Sequence, residues 1–253
     1  MQDLLNIAIV QTDIFWEDKA QNLAQLEAKL LAMQAEADII ILPEMFSTGF
    51  SMRPEALAET MQDFSVEWLR QMAKIKNAAI IGSLIIEENG HFYNRLFWVT
   101  PIGEIATYDK KHAFSMGGEH LHYTTGNEKL LVNYKGWKIA PFICYDLRFP
   151  TWCRNTSDYD ILIFIASWPH RRSMHWRALL LARAIENQAY TFGVNRVGYD
   201  NQKVYHSGYS MAIDPAGDML CELVGEEKIE IISISKNYLM EVRKRLPFLQ
   251  DRD

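Results

Sequence analysis

The chain has 253 residues, 49% of them hydrophobic and 23% charged, with a mean hydropathy of −0.15, a balance that excludes fibrous, low-complexity and disordered chains. Lys and Arg number 26 against 32 Asp and Glu, a net charge of −6 that opposes binding to nucleic acid or to an anionic membrane surface. A chain of this length buries on the order of 70% of its unfolded surface, and no repeat, linker or compositional break divides residues 1–253, so one domain is expected.

In chain order, Leu4 to Gln11 is a short apolar run rich in β-branched residues, and Asn22 to Met33 brings Leu23, Leu26, Leu30, Leu31 and Met33 near helical spacing. Ala37 to Leu42 is continuously apolar and ends at Pro43, as a strand covered on both faces reads. An amphipathic segment, Val66 to Lys76, precedes a second buried strand, Ala78 to Ile86. Turn signals at Asn89-Gly90 and Pro101-Ile102-Gly103 separate strands at His91 to Thr100 and Glu104 to His112. Lys129 to Asn133 and Trp137 to Cys144 form a hairpin around Lys135-Gly136. Asp160 to Ala166 is a third wholly apolar strand, followed by a helix over Ser173 to Gln188 with Trp176, Leu179, Leu180, Ala184 and Ile185 on one side. Strands at Tyr190 to Val197, Ser207 to Asp214 and Lys228 to Ser235 and a helix over Lys236 to Lys244 complete the chain. This order describes a layered α/β protein whose sheets are covered by helices; the pattern leaves open whether there is one sheet or two.

Met1 to Val10 carries no basic region ahead of its apolar stretch, and no apolar run reaches the roughly 18 residues of a membrane span. A cytoplasmic protein is therefore expected, with no membrane partner. Cys144, Cys153 and Cys221 are odd in number and include no CxxC pair, so free thiols are expected. His120-x-His122 and the histidines between His170 and His175 lack the spacing of a zinc site. Neither a metal nor a cofactor is called for, and no GxGxxG, GxxxxGK[ST] or GxSxG motif occurs. Arg243-Lys244-Arg245 reads as the solvated end of the last helix.

Polar residues at the carboxyl ends of apolar strands carry the chemical signal, because α/β sheets place their ligand sites there. One strand ends in Pro43-Glu44-Met45, another in Asp109-Lys110-Lys111-His112, and a third in Cys144-Tyr145-Asp146-Leu147-Arg148-Phe149-Pro150. A carboxylate, an ammonium and a thiol are thereby expected at one sheet edge. Taken singly, each has an ordinary reading: Glu44 as a helix-start carboxylate, the lysines as solvated strand ends, Cys144 as a packing thiol. Together they make sense, since a buried Glu and a buried Lys need partners. Strand alternation turns Tyr108, Lys110 and His112 one way and Asp109 and Lys111 the other, so only one lysine faces a given site.

The segments Leu42-Pro43-Glu44, Tyr108-Asp109-Lys110-Lys111-His112 and Cys144 to Pro150 closely resemble the three signatures of the nitrilase superfamily of carbon-nitrogen hydrolases. Ala182 to Gln188, Gly193 to Gly198, Gly208-Tyr209-Ser210 and Pro215-Ala216-Gly217 resemble its later landmarks, so the likeness spans nearly the whole chain. It implies a four-layer αββα sandwich that pairs as a homodimer. It also implies a general base at Glu44, an electrostatic partner at Lys110, the family pattern Tyr-x-Lys-x-His selecting this lysine, and a nucleophile at Cys144. Glu119 takes the place of a second family glutamate that positions substrate and lysine, and an amide near Tyr145 helps hold the oxyanion. Arg183, Glu186 and Asn187 read as structural, and Cys153 and Cys221 as packing thiols.

The cysteine signature and the loop Phe114 to Glu119 resemble the omega-amidase branch, which hydrolyses monoamides of dicarboxylic acids such as 2-oxoglutaramate. A pocket for such an anion needs a wall and a cation. Trp168 supplies the wall, with Phe114 in the adjoining loop, and Arg171 or Arg172 a bidentate carboxylate clamp. An N-carbamoyl hydrolase or a nitrile hydrolase would begin with the same thiol attack. A catalytically idle interaction module would be expected to lose one of the three groups.

Overall fold

The computed structural model describes residues 3–252. Its first half runs β1 (Leu4–Gln11), α1 (Lys19–Ala32), β2 (Ile39–Ile41), α2 (Pro54–Leu57), α3 (Phe64–Lys76), β3 (Ala79–Glu88), β4 (His91–Val99) and β5 (Ile105–Asp109). Its second runs β6 (Val132–Tyr134), β7 (Trp137–Ile143), α4 (Pro150–Cys153), β8 (Ile161–Ala166), α5 (Ser173–Asn187), β9 (Tyr190–Asn195), β10 (Val197–Tyr199), β11 (Tyr205–Ile213), β12 (Met219–Val224), β13 (Lys228–Ser235) and α6 (Lys236–Arg245). Two sheets result, one six-stranded in the order β13-β1-β2-β3-β4-β5, the other seven-stranded in the order β10-β11-β9-β8-β7-β6 with β12 beside β11. Each has a parallel centre, β1-β2-β3 and β7-β8-β9, flanked by antiparallel strands.

The apolar runs are continuous because both faces of these strands are covered. In β1 and β2, Ile7, Ile9, Ile39 and Ile41 join a core shared with Ile139, Ile143, Ile163 and Phe164 of the second sheet. Their neighbours Ala8, Val10 and Ile40 turn instead to Leu23, Leu26 and Leu30 of α1 and Trp68, Leu69 and Met72 of α3. The layers are therefore helix, sheet, sheet, helix, the sandwich that the resemblance implied. Among the described residues no helix is long and apolar enough to cross a membrane.

Several boundaries differ from the sequence reading. Helix α1 begins at Lys19, capped by Asp18, whose carboxylate accepts from Gln21 N at 3.0 Å. The apolar spacing that begins at Leu23 misses this first turn because Asn22 is buried by hydrogen bonds to Phe15 and Ser47 carbonyls. Leu31 is exposed. On α5, Trp176, Leu180 and Ala184 are buried but Ile185 faces outward, and the closest packing is at Gly193 of β9, where a Cβ would meet Leu180 Cδ1 at 2.3 Å. The Trp176 and Leu180 face thus serves packing within one subunit. Arg243 is not a solvated end charge: it bonds the carbonyls of Tyr159 and Gln188 and the Asp160 carboxylate. Arg183 pairs with Glu186 at 2.8 Å and Asn187 donates to Arg183 O at 3.0 Å, the structural roles expected of them.

Candidate active site

The three chemical groups meet, but across two sheets instead of at the edge of one. Glu44 follows β2 and Lys110 follows β5 in the first sheet, whereas Cys144 follows β7 in the second. The facing sheets bring their strand ends together over the shared core, and pairing between the sheets is invisible to a strand-by-strand reading.

Each local sequence explains how its side chain is aimed. Leu42 N donates to Ile81 O at 2.7 Å, extending the pairing of β2 by one residue, and Met45, at φ 47, turns the chain immediately after Glu44. Lys110 N donates to Asn94 O at 3.0 Å, one pairing beyond β5. Asp109 points away, held by Arg95 through bonds of 2.7 and 2.9 Å, so alternation sends Lys110 inward as expected. Cys144 takes a left-handed φ of 44, which a residue with a Cβ adopts only at a cost of about 1–3 kcal/mol. The Asp146 carboxylate holds that turn. It accepts from Ile143 N at 3.1 Å, Tyr108 Oη at 2.7 Å, His112 N at 3.0 Å and His112 Nδ1 at 2.8 Å, tying the thiol-bearing turn to the strand end that carries Lys110.

The charged cluster is dry. Glu44, Lys110 and Glu119 are all buried, with exposures of 0%, 3% and 1%. Lys110 Nζ lies 2.8 Å from Glu44 Oε1 and 2.9 Å from both oxygens of Glu119, and 5.0 Å from the Phe50 ring centroid. Glu119 also accepts from Phe114 N at 2.5 Å, and Glu44 Oε2 from Ser167 N at 2.8 Å. All the groups bonded to the two carboxyl groups are donors. Burial works to lower the Lys110 ammonium, and Glu119 and Glu44 override it, holding it well above the ordinary lysine value. Burial pushes Glu119 up, against the pull of Lys110. Burial and then the Glu44 charge push the Cys144 thiol well above its ordinary value, with Lys110 countering. The surroundings of the sulfur thus favour its thiol form.

Cys144 and Glu44 open into a cavity of about 170 Å³ lined also by Phe114, Tyr145, Trp168, Arg171 and Arg172. This is small beside the ~300–1,000 Å³ of sites for drug-sized ligands. The two candidate arginines separate here. Arg171 is exposed, while Arg172 is half-buried with its guanidinium 5.1 Å from the Phe114 ring centroid. Arg148 also lines the cavity, 4.7 Å from the Trp168 ring centroid. Among the described residues none of these three arginines pairs with a carboxylate.

Sequence reasoning missed four contributors. Asn94, which donates to both glutamates, had a readable signal, an amide within an apolar strand that must find partners. Asp146 and Arg148 stood in the cysteine signature without a role. Ser167 contributes a backbone N–H, which no side chain announces.

The Carbon-nitrogen hydrolase family profile matches residues 6–244. The omega-amidase YafV of Escherichia coli (strain K12) is 42% identical, the match covering 98% of this chain and 97% of that one. A 2-oxoglutaramate amidase of Bacillus subtilis (strain 168) is 33% identical over 97% and 96% of the two chains. A CN-hydrolase superfamily protein from Xanthomonas campestris, solved with an arsenic adduct in its active site, superposes with a TM-score of 0.97 at 41% identity, covering 100% of this chain and 98% of that one.

Proposed function

The chain belongs to the carbon-nitrogen hydrolase family, and from that premise we propose that it is an omega-amidase in which Cys144, Glu44 and Lys110 hydrolyse the terminal amide of a dicarboxylate monoamide. The observation that carries this reading is the buried contact of Lys110 with both Glu44 and Glu119 beside a cavity that Cys144 lines. The names of the relatives, omega-amidase and 2-oxoglutaramate amidase, support the substrate class. The whole chain is read as one catalytic domain.

The buried cluster supports the following steps. Glu44 takes the thiol proton as Cys144 sulfur bonds to the amide carbon. The oxyanion that forms is stabilised by Lys110 and by the Tyr145 amide, which lies in the first turn of the 3-10 segment begun by Cys144 and has no carbonyl of that turn to bond; one such donor is worth about 3–4 kcal/mol. The C–N bond breaks as protonated Glu44 passes its proton to the nitrogen, and ammonia leaves a thioester. Glu44 then deprotonates water, which attacks the thioester carbon, and the proton returns to the departing sulfur. Phe114 and Trp168 wall the cavity, and Arg172 clamps the distal carboxylate in preference to the more exposed Arg171.

A reducing cytoplasm suits such a thiol, and a homodimer is part of the same proposal, checked by light scattering of the eluted protein. Since Trp176 and Leu180 are occupied within the subunit, a partner on α5 would meet the exposed Met174 and Ile185. Ammonia release from 2-oxoglutaramate and succinamate tests the central reading: the protein should release it, and Cys144→Ala should not. Activity surviving in Cys144→Ala overturns the mechanism.

A further inference from the structure

We infer that Asn94 is a positioning residue that reserves one oxygen of Glu44, Oε2, for proton transfer; the inference rests on reading Glu44 as the base. Asn94 lies in β4 opposite Ile85 and is 1% exposed. Its backbone carbonyl accepts from Lys110 N at 3.0 Å, and its Nδ2 donates to Glu44 Oε1 at 2.8 Å and to Glu119 Oε1 at 3.3 Å. Its own Oδ1 is buried without a donor among the described residues. A flipped amide would set Oδ1 against two carboxylate oxygens, so charge fixes the orientation and the unpaired oxygen is its cost.

The consequence falls on Glu44. A carboxylate oxygen offers about two acceptor sites. Both on Oε1 are taken, by Lys110 Nζ and Asn94 Nδ2, whereas among the described residues Oε2 accepts only from Ser167 N. A proton leaving the Cys144 thiol therefore lands on Oε2, and from Oε2 it reaches the departing nitrogen. Loss of the Asn94 donor frees a site on Oε1, where a proton sits among Lys110 and Glu119, away from the substrate. It also makes Glu44 more basic, because a hydrogen bond to the charged form has been removed. The same amide braces Glu119, so the group holding Lys110 slackens too.

Asn94→Leu and Asn94→Ala both delete the donor, one keeping nearly the full volume and the other leaving a cavity. Steady-state ammonia release from succinamate would be measured against pH, normalised to the number of Cys144 thiols that iodoacetamide labels, alongside thermal melting. Both variants should lose at least about tenfold in kcat per competent site, with KM within about threefold, and in both the acidic limb of the kcat profile should move up by about one pH unit. A purely structural role would instead lower the melting temperature and the number of competent sites, more for Ala than for Leu, and leave the limb in place. That result overturns the inference. If wild-type turnover depends on Cys144 and Glu44 but the acidic limb is unmoved in both Asn94 variants, this inference alone falls. If turnover does not depend on Cys144, the reading of the site falls with it.

Discussion

The amide N–H of Ser167, just past β8, donates to Glu44 Oε2 at 2.8 Å, across the interface between the two sheets. The Glu44 carboxylate from one sheet is thus oriented by the backbone of the other, the sheet that also carries Cys144. Relative placement of the Glu44 carboxylate and the Cys144 thiol therefore depends on how the sheets pack.

Because burial and Glu44 both raise the Cys144 thiol, with Lys110 opposing them, the two readouts of Glu44→Gln should move apart. On the proposed role of Glu44 as base, ammonia release should fall by about 10²–10⁴-fold. The thiolate, followed by its ultraviolet absorbance, should meanwhile form at a lower pH than in the wild type, whose midpoint should lie above the ~8.5 of a free thiol. An upward move of the midpoint in Glu44→Gln contradicts the electrostatics argued above.

Arg172 is half-buried at the cavity and Arg171 is exposed, so their substitutions should differ. Arg172→Gln should cut kcat/KM for succinamate by about 10–100-fold and leave neutral butyramide within about threefold, the cost of one charged hydrogen-bonding partner. Arg171→Gln should change either substrate by less than about threefold. Equal losses on both amides in Arg172→Gln would remove the clamp.

Gly193 sits under α5, where a Cβ would approach Leu180 Cδ1 to 2.3 Å and Trp176 Cζ2 to 2.7 Å. Gly193→Ala should destabilise by about 1–3 kcal/mol through overpacking, seen as a melting temperature lower by about 2–4 °C per kcal/mol. An unchanged melting curve would mean that α5 is free to move off the sheet.

Burial, with the Arg196 charge adding to it, lowers His206 from 6.5 to about 4. The imidazole is neutral in the fold, whereas the unfolded chain binds a proton near 6.5, so acid favours unfolding. Stability present at neutral pH should fall by up to about 3 kcal/mol as pH drops from about 6.5 towards 4. Denaturant titrations of His206→Gln should show a flatter dependence in that window; an identical slope would place the acid sensitivity elsewhere.

The helical and strand periods of Leu23, Leu26 and Leu30 and of Ile39 to Ile41 were legible because local spacing follows from backbone geometry and burial. Strand β12, exposed along much of its length, carried no such signal. Alternation made legible only that Lys110 and Lys111 point opposite ways; the choice of Lys110 came from the family pattern, and the bond from Arg95 to Asp109 belongs to the tertiary structure. Asn94 was legible only as a polar residue in need of a partner.

By itself the sequence determined the layered α/β class, the three strand-end motifs and the chemical identities of thiol, carboxylate and ammonium, because residue type and local period are written along the chain. Tertiary structure alone decided that these groups come from two sheets, that Glu119 and Asn94 close around Lys110 and Glu44, and that of the two arginines lining the cavity Arg172 is half-buried and Arg171 exposed. Those facts depend on which surfaces bury each other, and burial between distant segments leaves no periodic trace in the order of residues.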